Sequence, residues 1–303
     1  MQIKPTLIVI GGPTASGKTR LAIDLAKYYN CEIFSADSRQ LYKELDIGVA
    51  KPSKEELAEV KHHFISHISI DQSYSAAQYE SDLLNALEIY FKTNQTAILV
   101  GGTGLYIKAV LEGLDHFPEV SQTILAQLEE SLTQDGLEPL VNELKSLDII
   151  TYNNIDLNNS RRVVRALSVC LSSGQAYSSF LSESKESRPF GSIKLYLNPD
   201  RELLYQRINE RVDQMVDRGL IEEVKSLLDK QHLKSLDTIG YREIFKYLNG
   251  EWTLVTAIDK LKQHSRNYAK RQLTWFKNTY QGYPIENPEI NKLTNMIEKL
   301  KNR

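Results

Sequence analysis

Residues Gly12-Pro13-Thr14-Ala15-Ser16-Gly17-Lys18-Thr19 fit the spacing G-x-x-x-x-G-K-[ST]. In that spacing the glycines let successive backbone N–H groups curl around an anion, the lysine adds a mobile positive charge, and the hydroxyl can ligate Mg²⁺. The chemistry is that of a phosphorylated ligand, and a diphosphate satisfies such a loop as well as a triphosphate. Asp37, within Ser35-Ala36-Asp37-Ser38-Arg39-Gln40, adds a carboxylate. It could hold magnesium, serve a transferase as base, or cap the turn that follows. Gly101-Gly102-Thr103-Gly104-Leu105-Tyr106 is a second glycine turn, where Thr103 could contact a bulky substrate or the chain could simply pass from strand to helix. The stretch Asp46-Ile47-Gly48-Val49-Ala50-Lys51-Pro52 has no recognised chemistry of its own, although Lys51 could reach an anion.

Basic residues are unevenly distributed. Positions 260–277 carry Lys260, Lys262, Arg266, Lys270, Arg271 and Lys277 with Tyr268, Trp275 and Phe276 among them. A cationic, aromatic helix suits phosphate-backbone binding with base stacking, the alternative being a solvated face. Arg161, Arg162 and Arg165 form a second cluster. Arg201, Arg207, Arg211 and Arg218 alternate with acidic residues and read mostly as surface pairs, yet Arg207 and Arg211, one turn apart, could cover a phosphate site as a lid. His62, His63 and His67 make a poor metal set, because their segment reads as strand or loop and no cysteine lies near.

The elements that position these residues follow from periodicity. Apolar residues 7–10 form a buried strand, 18–29 an amphipathic helix, 32–36 a second strand and 97–100 a third. Ser53 with Glu56, and Ser75 with Gln78, are capping boxes that open helices, the second running through Phe91. Strands separated by helices require crossovers, so the sheet is parallel and the loops at Gly11, Asp37 and Gly101 share its carboxyl edge. The chain divides into residues 1–114, a core of α/β type, residues 115–191, a helical insertion, and residues 192–303, which return one strand (193–197) to the sheet and read as helix beyond Pro199. A net charge of −2 exerts no global pull on nucleic acid or membrane, so such a partner needs a local patch. Two distant cysteines, Cys31 and Cys170, exclude a disulfide framework and suit a reducing interior. No apolar run approaches the roughly 20 residues that span a bilayer, and the amino terminus lacks a secretory apolar region. A cytoplasmic protein without a membrane partner is expected.

With the loop, Asp37 and the basic tail in place, the sequence resembles the tRNA dimethylallyltransferases, also called tRNA isopentenyltransferases, over nearly its whole length. The resemblance rests on residues 12–19, Asp37-Ser38-x-Gln40 with Tyr42, Asp46-Ile47-Gly48-x-Ala50-Lys51-Pro52, Tyr74-Ser75-Ala76-Ala77-x-Tyr79 and the turn at 101–106. It continues through Arg161 with Arg165-Ala166-Leu167, Ile239-Gly240-Tyr241 and Tyr268-Ala269-Lys270-Arg271-Gln272 followed by Trp275. Only the loop is telling alone; in order, the set is specific. The resemblance implies a P-loop NTPase-like parallel sheet flanked by helices, with a helical insertion domain and a helical carboxyl-terminal region. It implies transfer of a dimethylallyl group from dimethylallyl diphosphate to N6 of the adenosine 3′ of the anticodon, after that base is flipped into a channel. Asp37 would be the general base, with Lys18 and Thr19 completing the catalytic set and Thr19 reaching Mg²⁺. Gly12, Pro13, Thr14, Ala15, Ser16, Gly17, Lys18 and Thr19, with Arg207 or Arg211, would hold the diphosphate. Asp37, Ser38, Arg39, Gln40, Thr103, Arg161, Arg162, Val163, Val164, Arg165, Lys270, Arg271 and Gln272 would touch tRNA, the insertion gripping the anticodon stem-loop of a substrate bound by a monomer. Val49, Asn159, Ser168 and Ser265 depart from the residues usual at their positions, and no cysteine-histidine finger follows Trp275, as in the short bacterial form.

Three rival readings share some of these features. A prenyltransferase of free adenine nucleotides would keep the loop and Asp37 without needing the basic tail. A P-loop small-molecule kinase would bind ATP and release ADP. A nucleotide-gated RNA-binding protein would hold a stem-loop and release no diphosphate.

Overall fold

The computed structural model describes residues 4–181, 187–286 and 288–301. The chain forms two compact units, one of Met1–Glu112 with Ser187–Arg303 and one of Gly113–Glu186.

The larger unit opens with β1 (Thr6–Gly11), α1 (Lys18–Tyr29), β2 (Ile33–Ser35), α2 (Lys54–Glu59), β3 (His62–His63), α3 (Ala76–Tyr90), β4 (Thr96–Gly101) and α4 (Gly104–Glu112). Its sheet has the order β3-β2-β4-β1, continued beyond β1 by two later strands, and its ladders are parallel. Alternation along the strands feeds two cores on opposite faces. Leu7, Val9, Phe34, Ala97 and Leu99 pack beneath α3 and α4, while Ile8, Ile10, Ile33 and Ile98 pack beneath α1. Burying one such side chain is worth roughly 1.5–3 kcal/mol, and a strand sandwiched on both faces must be apolar at every position. Both capping boxes form, Ser53 with Glu56 and Ser75 with Gln78, which sets where α2 and α3 begin.

The smaller unit is helical: α5 (Gln122–Gln134), α6 (Glu138–Leu147), α7 (Ile149–Asn154) and α8 (Ser160–Ser173), then a 3₁₀ turn at Tyr177–Phe180. Its core is Leu128, Leu140, Leu144, Val163, Val164, Ala166 and Leu167.

The chain then returns to the larger unit with β5 (Gly191–Leu197), α9 (Arg201–Asp217), α10 (Leu220–Lys225), α11 (Tyr241–Leu248), α12 (Leu254–Asn278), β6 (Tyr283–Ile285) and α13 (Ile290–Lys301). β5 lies beside β1, and β6 closes the edge. The strand β6 corrects the expectation of helix throughout the region after Pro199. It is three residues long with Pro284 at its centre, and proline, which cannot donate to a ladder, is tolerated there because β6 is an edge strand.

Candidate active site

The phosphate loop joins β1 to α1 and is held in a wound conformation. Backbone φ is positive at Gly12 (145°), Ala15 (59°) and Gly17 (88°). For Ala15 that conformation costs on the order of 1 kcal/mol, strain of the kind that collects at functional turns. The Ser16 hydroxyl donates to the Pro13 carbonyl at 2.8 Å, and Lys18 Nζ reaches the same oxygen at 2.6 Å, so the lysine lies across the loop. Burial and, next, nearby Arg211 bring the Lys18 pKa down to about 7, with Asp37 working in the opposite direction. The cradle thus concentrates positive charge that an anion would relieve.

Asp37 stands at the end of β2, on the same sheet edge. Its Oδ1 accepts the backbone N–H groups of Arg39 (2.9 Å) and Gln40 (3.3 Å), so the turn-capping role is real. Its Oδ2 accepts no hydrogen bond among the described residues, which leaves one oxygen for a ligand. The turn is strapped to the loop after β4: Thr103 N–H donates to Ala36 O (3.2 Å), and Ser38 N–H donates to Thr103 Oγ1 (3.0 Å). Gly101 permits this approach, since a β-carbon there would lie 2.2 Å from Ala36 O. The Asp37 charge is felt at Lys18, Arg211 and Tyr268, three groups from different elements. Burial and, next, Asp37 push the Tyr268 hydroxyl up to about 12.

Helix α12 meets the loop through Gln272. This side chain is only 7% exposed; its Oε1 accepts Thr14 N–H at 2.9 Å and its Nε2 donates to Gly102 O at 2.9 Å. Gln272 is therefore a clamp between the two glycine turns, which corrects its expected place on a tRNA surface: its amide is consumed inside the protein. Immediately before Gln272 the helix is open, with Lys270 and Arg271 exposed and the Arg271 guanidinium 5.7 Å above the Tyr268 ring.

The two candidate lid arginines differ. Arg211 is driven toward the loop, with Nη1 at 3.4 Å from Thr14 Oγ1, and burial lowers its pKa. Arg207 is exposed and lines a groove of about 890 Å³ with Ser16, Gly17, Arg20, Lys270 and Lys277. As for a metal, the Thr19 hydroxyl makes no hydrogen bond among the described residues. It offers one hard oxygen donor without an all-protein cage, which fits Mg²⁺ completed by phosphate and water.

Other expected contacts redistribute. Arg39 donates to the carbonyls of Ser235 (2.9 Å) and Asp237 (3.2 Å), and Gln40 Nε2 to Ala50 O (3.0 Å), so both brace the fold. Lys51 Nζ donates to Tyr42 O at 2.5 Å. His63 stacks on Phe34 and pairs with Glu32 at 2.5 Å. In the smaller unit Arg161, Arg162 and Arg165 are exposed on α8, whereas Val163 and Val164, 0% and 7% exposed, face its core; their side chains are corrected to packing residues. Asn159 caps α8 by accepting from Arg162 N–H, which is the work an aspartate would do there. Sequence reasoning missed Glu223, whose carboxylate binds residues about 175 positions away and which carries no motif.

The family model described as IPP transferase matches residues 40–279. The tRNA dimethylallyltransferase 1 of Phocaeicola vulgatus is 47% identical over 272 residues, covering 90% of this chain and 91% of its own. The tRNA dimethylallyltransferase of Cytophaga hutchinsonii is 43% identical over 296 residues, covering 98% and 97%. Among solved structures, the full-length tRNA isopentenylpyrophosphate transferase of Bacillus halodurans superposes with a TM-score of 0.71 at 36% identity, covering 99% of this chain and 95% of its own. A eukaryotic dimethylallyltransferase acting on tRNA superposes with a TM-score of 0.80 at 27% identity, covering 98% and 77%.

Proposed function

The chain belongs to the IPP transferase family, and from that premise we propose that it transfers a dimethylallyl group from dimethylallyl diphosphate to N6 of the adenosine 3′ of the anticodon in tRNA. The observation that carries this reading is the meeting of a phosphate loop and a carboxylate with one uncommitted oxygen on a single sheet edge, both electrostatically linked to Lys18 and Arg211.

In this reading the adenine amine attacks the allylic carbon. An N–C bond forms, the C–O bond to diphosphate breaks, and the amine proton passes to Asp37 Oδ2. The amine lone pair is delocalised into the purine, so attack becomes easier as its proton is removed. Charge growing on the leaving diphosphate meets the loop N–H groups, Lys18 and Arg211, with Arg207 at the rim. Thr19, with phosphate oxygens and water, would hold Mg²⁺, which would supply further charge neutralisation. Binding one substrate against the other contributes through orientation.

For the RNA, Lys270 and Arg271 meet phosphates, and Arg161, Arg162 and Arg165 supply the cations of the helical unit, which takes the anticodon stem-loop. Ser38 and Thr103 line the entrance beside Asp37. The same reading has the chain act as a cytoplasmic monomer.

The test is incubation with Mg²⁺, radiolabelled dimethylallyl diphosphate and two acceptors, an unmodified anticodon stem-loop and free AMP. Label on the RNA alone is expected. Label on AMP would move the protein to the nucleotide prenyltransferases, and label on neither would overturn the transferase reading.

A further inference from the structure

The loop at residues 46–52 carries no chemistry of its own, yet an unusual number of side chains hold it. Glu223, on α10, receives the Ile47 N–H on Oε2 at 2.7 Å and the Gly48 N–H on Oε1 at 3.0 Å. The Tyr241 hydroxyl donates to the same Oε1 at 2.5 Å. Gly48 lies flat on that tyrosine, since a β-carbon would sit 2.6 Å from its ring. Beyond Gly48 the chain turns back on itself, with Ala50 N–H on Ile47 O at 3.0 Å, Lys51 N–H on Asp46 O at 3.2 Å and Ala50 at φ 48°. The turn points the Ala50 carbonyl inward. That oxygen accepts Gln40 Nε2 at 3.0 Å and Arg211 Nη2 at 3.4 Å.

Arg211 is the end of this chain of contacts and the start of the phosphate site. Its other terminal nitrogen is 3.4 Å from Thr14 Oγ1, and among the described residues it has no carboxylate within ion-pair distance. A guanidinium held by a neutral carbonyl and a hydroxyl keeps its charge available for an incoming anion, whereas a carboxylate partner would spend it.

We infer that Glu223 is a positioning residue for the transfer: by fixing the loop at 46–52 it makes Ala50 aim the Arg211 guanidinium at the leaving diphosphate. The inference rests on the diphosphate reading of the loop at 12–19. Glu223 itself touches no substrate. Its carboxylate accepts from two backbone amides and a phenol at once, which an amide side chain cannot reproduce, because its NH₂ group would face one of the two N–H donors.

The test is a double-mutant cycle read by inorganic pyrophosphate binding, with stem-loop affinity and thermal midpoint measured in parallel. Glu223→Gln should weaken pyrophosphate binding by roughly 10- to 100-fold, the loss that small misplacements of a positioning group produce, and leave stem-loop affinity within about twofold. On an Arg211→Ala background the same substitution should change pyrophosphate affinity little, because the residue through which it acts is gone. Losses that add across the two positions, or equal weakening of pyrophosphate and RNA, would overturn the inference. If Glu223→Gln does not fold, Tyr241→Phe removes one of the three donors and should give a smaller loss with the same coupling to Arg211. Unmodified protein that binds no pyrophosphate would remove the diphosphate reading and this inference with it; normal binding with an additive cycle would remove the inference alone.

Discussion

Gln272 Oε1 accepts the backbone N–H of Thr14 at 2.9 Å, which commits one amide of the phosphate loop to helix α12. The same side chain holds Gly102 O through Nε2, so two sheet-edge turns share one amide group. Gln272→Leu keeps much of the volume but leaves a half-buried N–H and a buried carbonyl unpaired, the carbonyl at about 1–3 kcal/mol and the N–H at less. Pyrophosphate affinity should fall at least about tenfold, with a lower thermal midpoint and stem-loop affinity largely kept. Loss of RNA affinity with pyrophosphate binding intact would return Gln272 to the tRNA surface.

The exposed cations that follow Tyr268, Lys270 and Arg271, make a different prediction. Lys270→Gln combined with Arg271→Gln should weaken stem-loop binding and reduce the slope of log affinity against log salt by roughly 1.4–1.8, the counterion release of two phosphates. Pyrophosphate binding should change far less. An unchanged salt slope would mark this helix face as merely solvated.

The smaller unit has its own acid-sensitive joint. Asp148, buried at the start of α7, accepts Thr151 N–H (2.9 Å) and Oγ1 (2.6 Å) and Ser178 N–H (2.7 Å) and Oγ (2.9 Å). Burial alone would raise its pKa; the hydrogen bonds, those from Thr151 foremost, outweigh burial and hold it below the usual carboxylate range. A carboxylate depressed in the folded state contributes stability that is present above its unfolded pKa of about 4 and is lost as pH falls through the folded value. Asp148→Asn should therefore destabilise the helical unit at pH 7 by about 1–3 kcal/mol and flatten its loss of stability below about pH 4. Urea unfolding followed by circular dichroism across pH 2–7 checks both, and parallel pH profiles for the two proteins would contradict the assignment.

How much of this was legible before the fold was known depends on whether the cause was local. The strand at 7–10, the helix at 18–29 and both capping boxes are written in short-range patterns, and they formed where expected. The parallel sheet followed from alternation, and the carboxyl-edge placement of the loops followed from the sheet. What stayed hidden was made by distant partners. Nothing near Gln272 announces that its amide will bridge Thr14 and Gly102, and Glu223 resembles any helix-surface glutamate until Ile47 and Gly48 arrive. Lys51 read as a possible ligand because a cation in a loop looks available, and Arg39 through the resemblance, but carbonyls of Tyr42, Ser235 and Asp237 hold them. The strand at 283–285 was missed because Pro284 argues against a ladder everywhere except at an edge.

The central claim is that Asp37 takes the proton as the allylic carbon is attacked, and one substitution isolates it. Asp37 has two jobs, an Oδ1 that caps the turn at Arg39 and Gln40 and an Oδ2 left for the substrate. Asp37→Asn retains an oxygen acceptor for the turn and removes the base, so the fold and RNA binding should persist while chemistry suffers. The measurement is the single-turnover rate of label transfer to the stem-loop, with enzyme in excess and both substrates saturating. A fall of about 10²- to 10⁴-fold in that rate, with stem-loop and pyrophosphate affinities within about threefold of the unmodified protein, is the predicted result. A single-turnover rate close to that of the unmodified protein would contradict it and leave Asp37 as a turn cap alone.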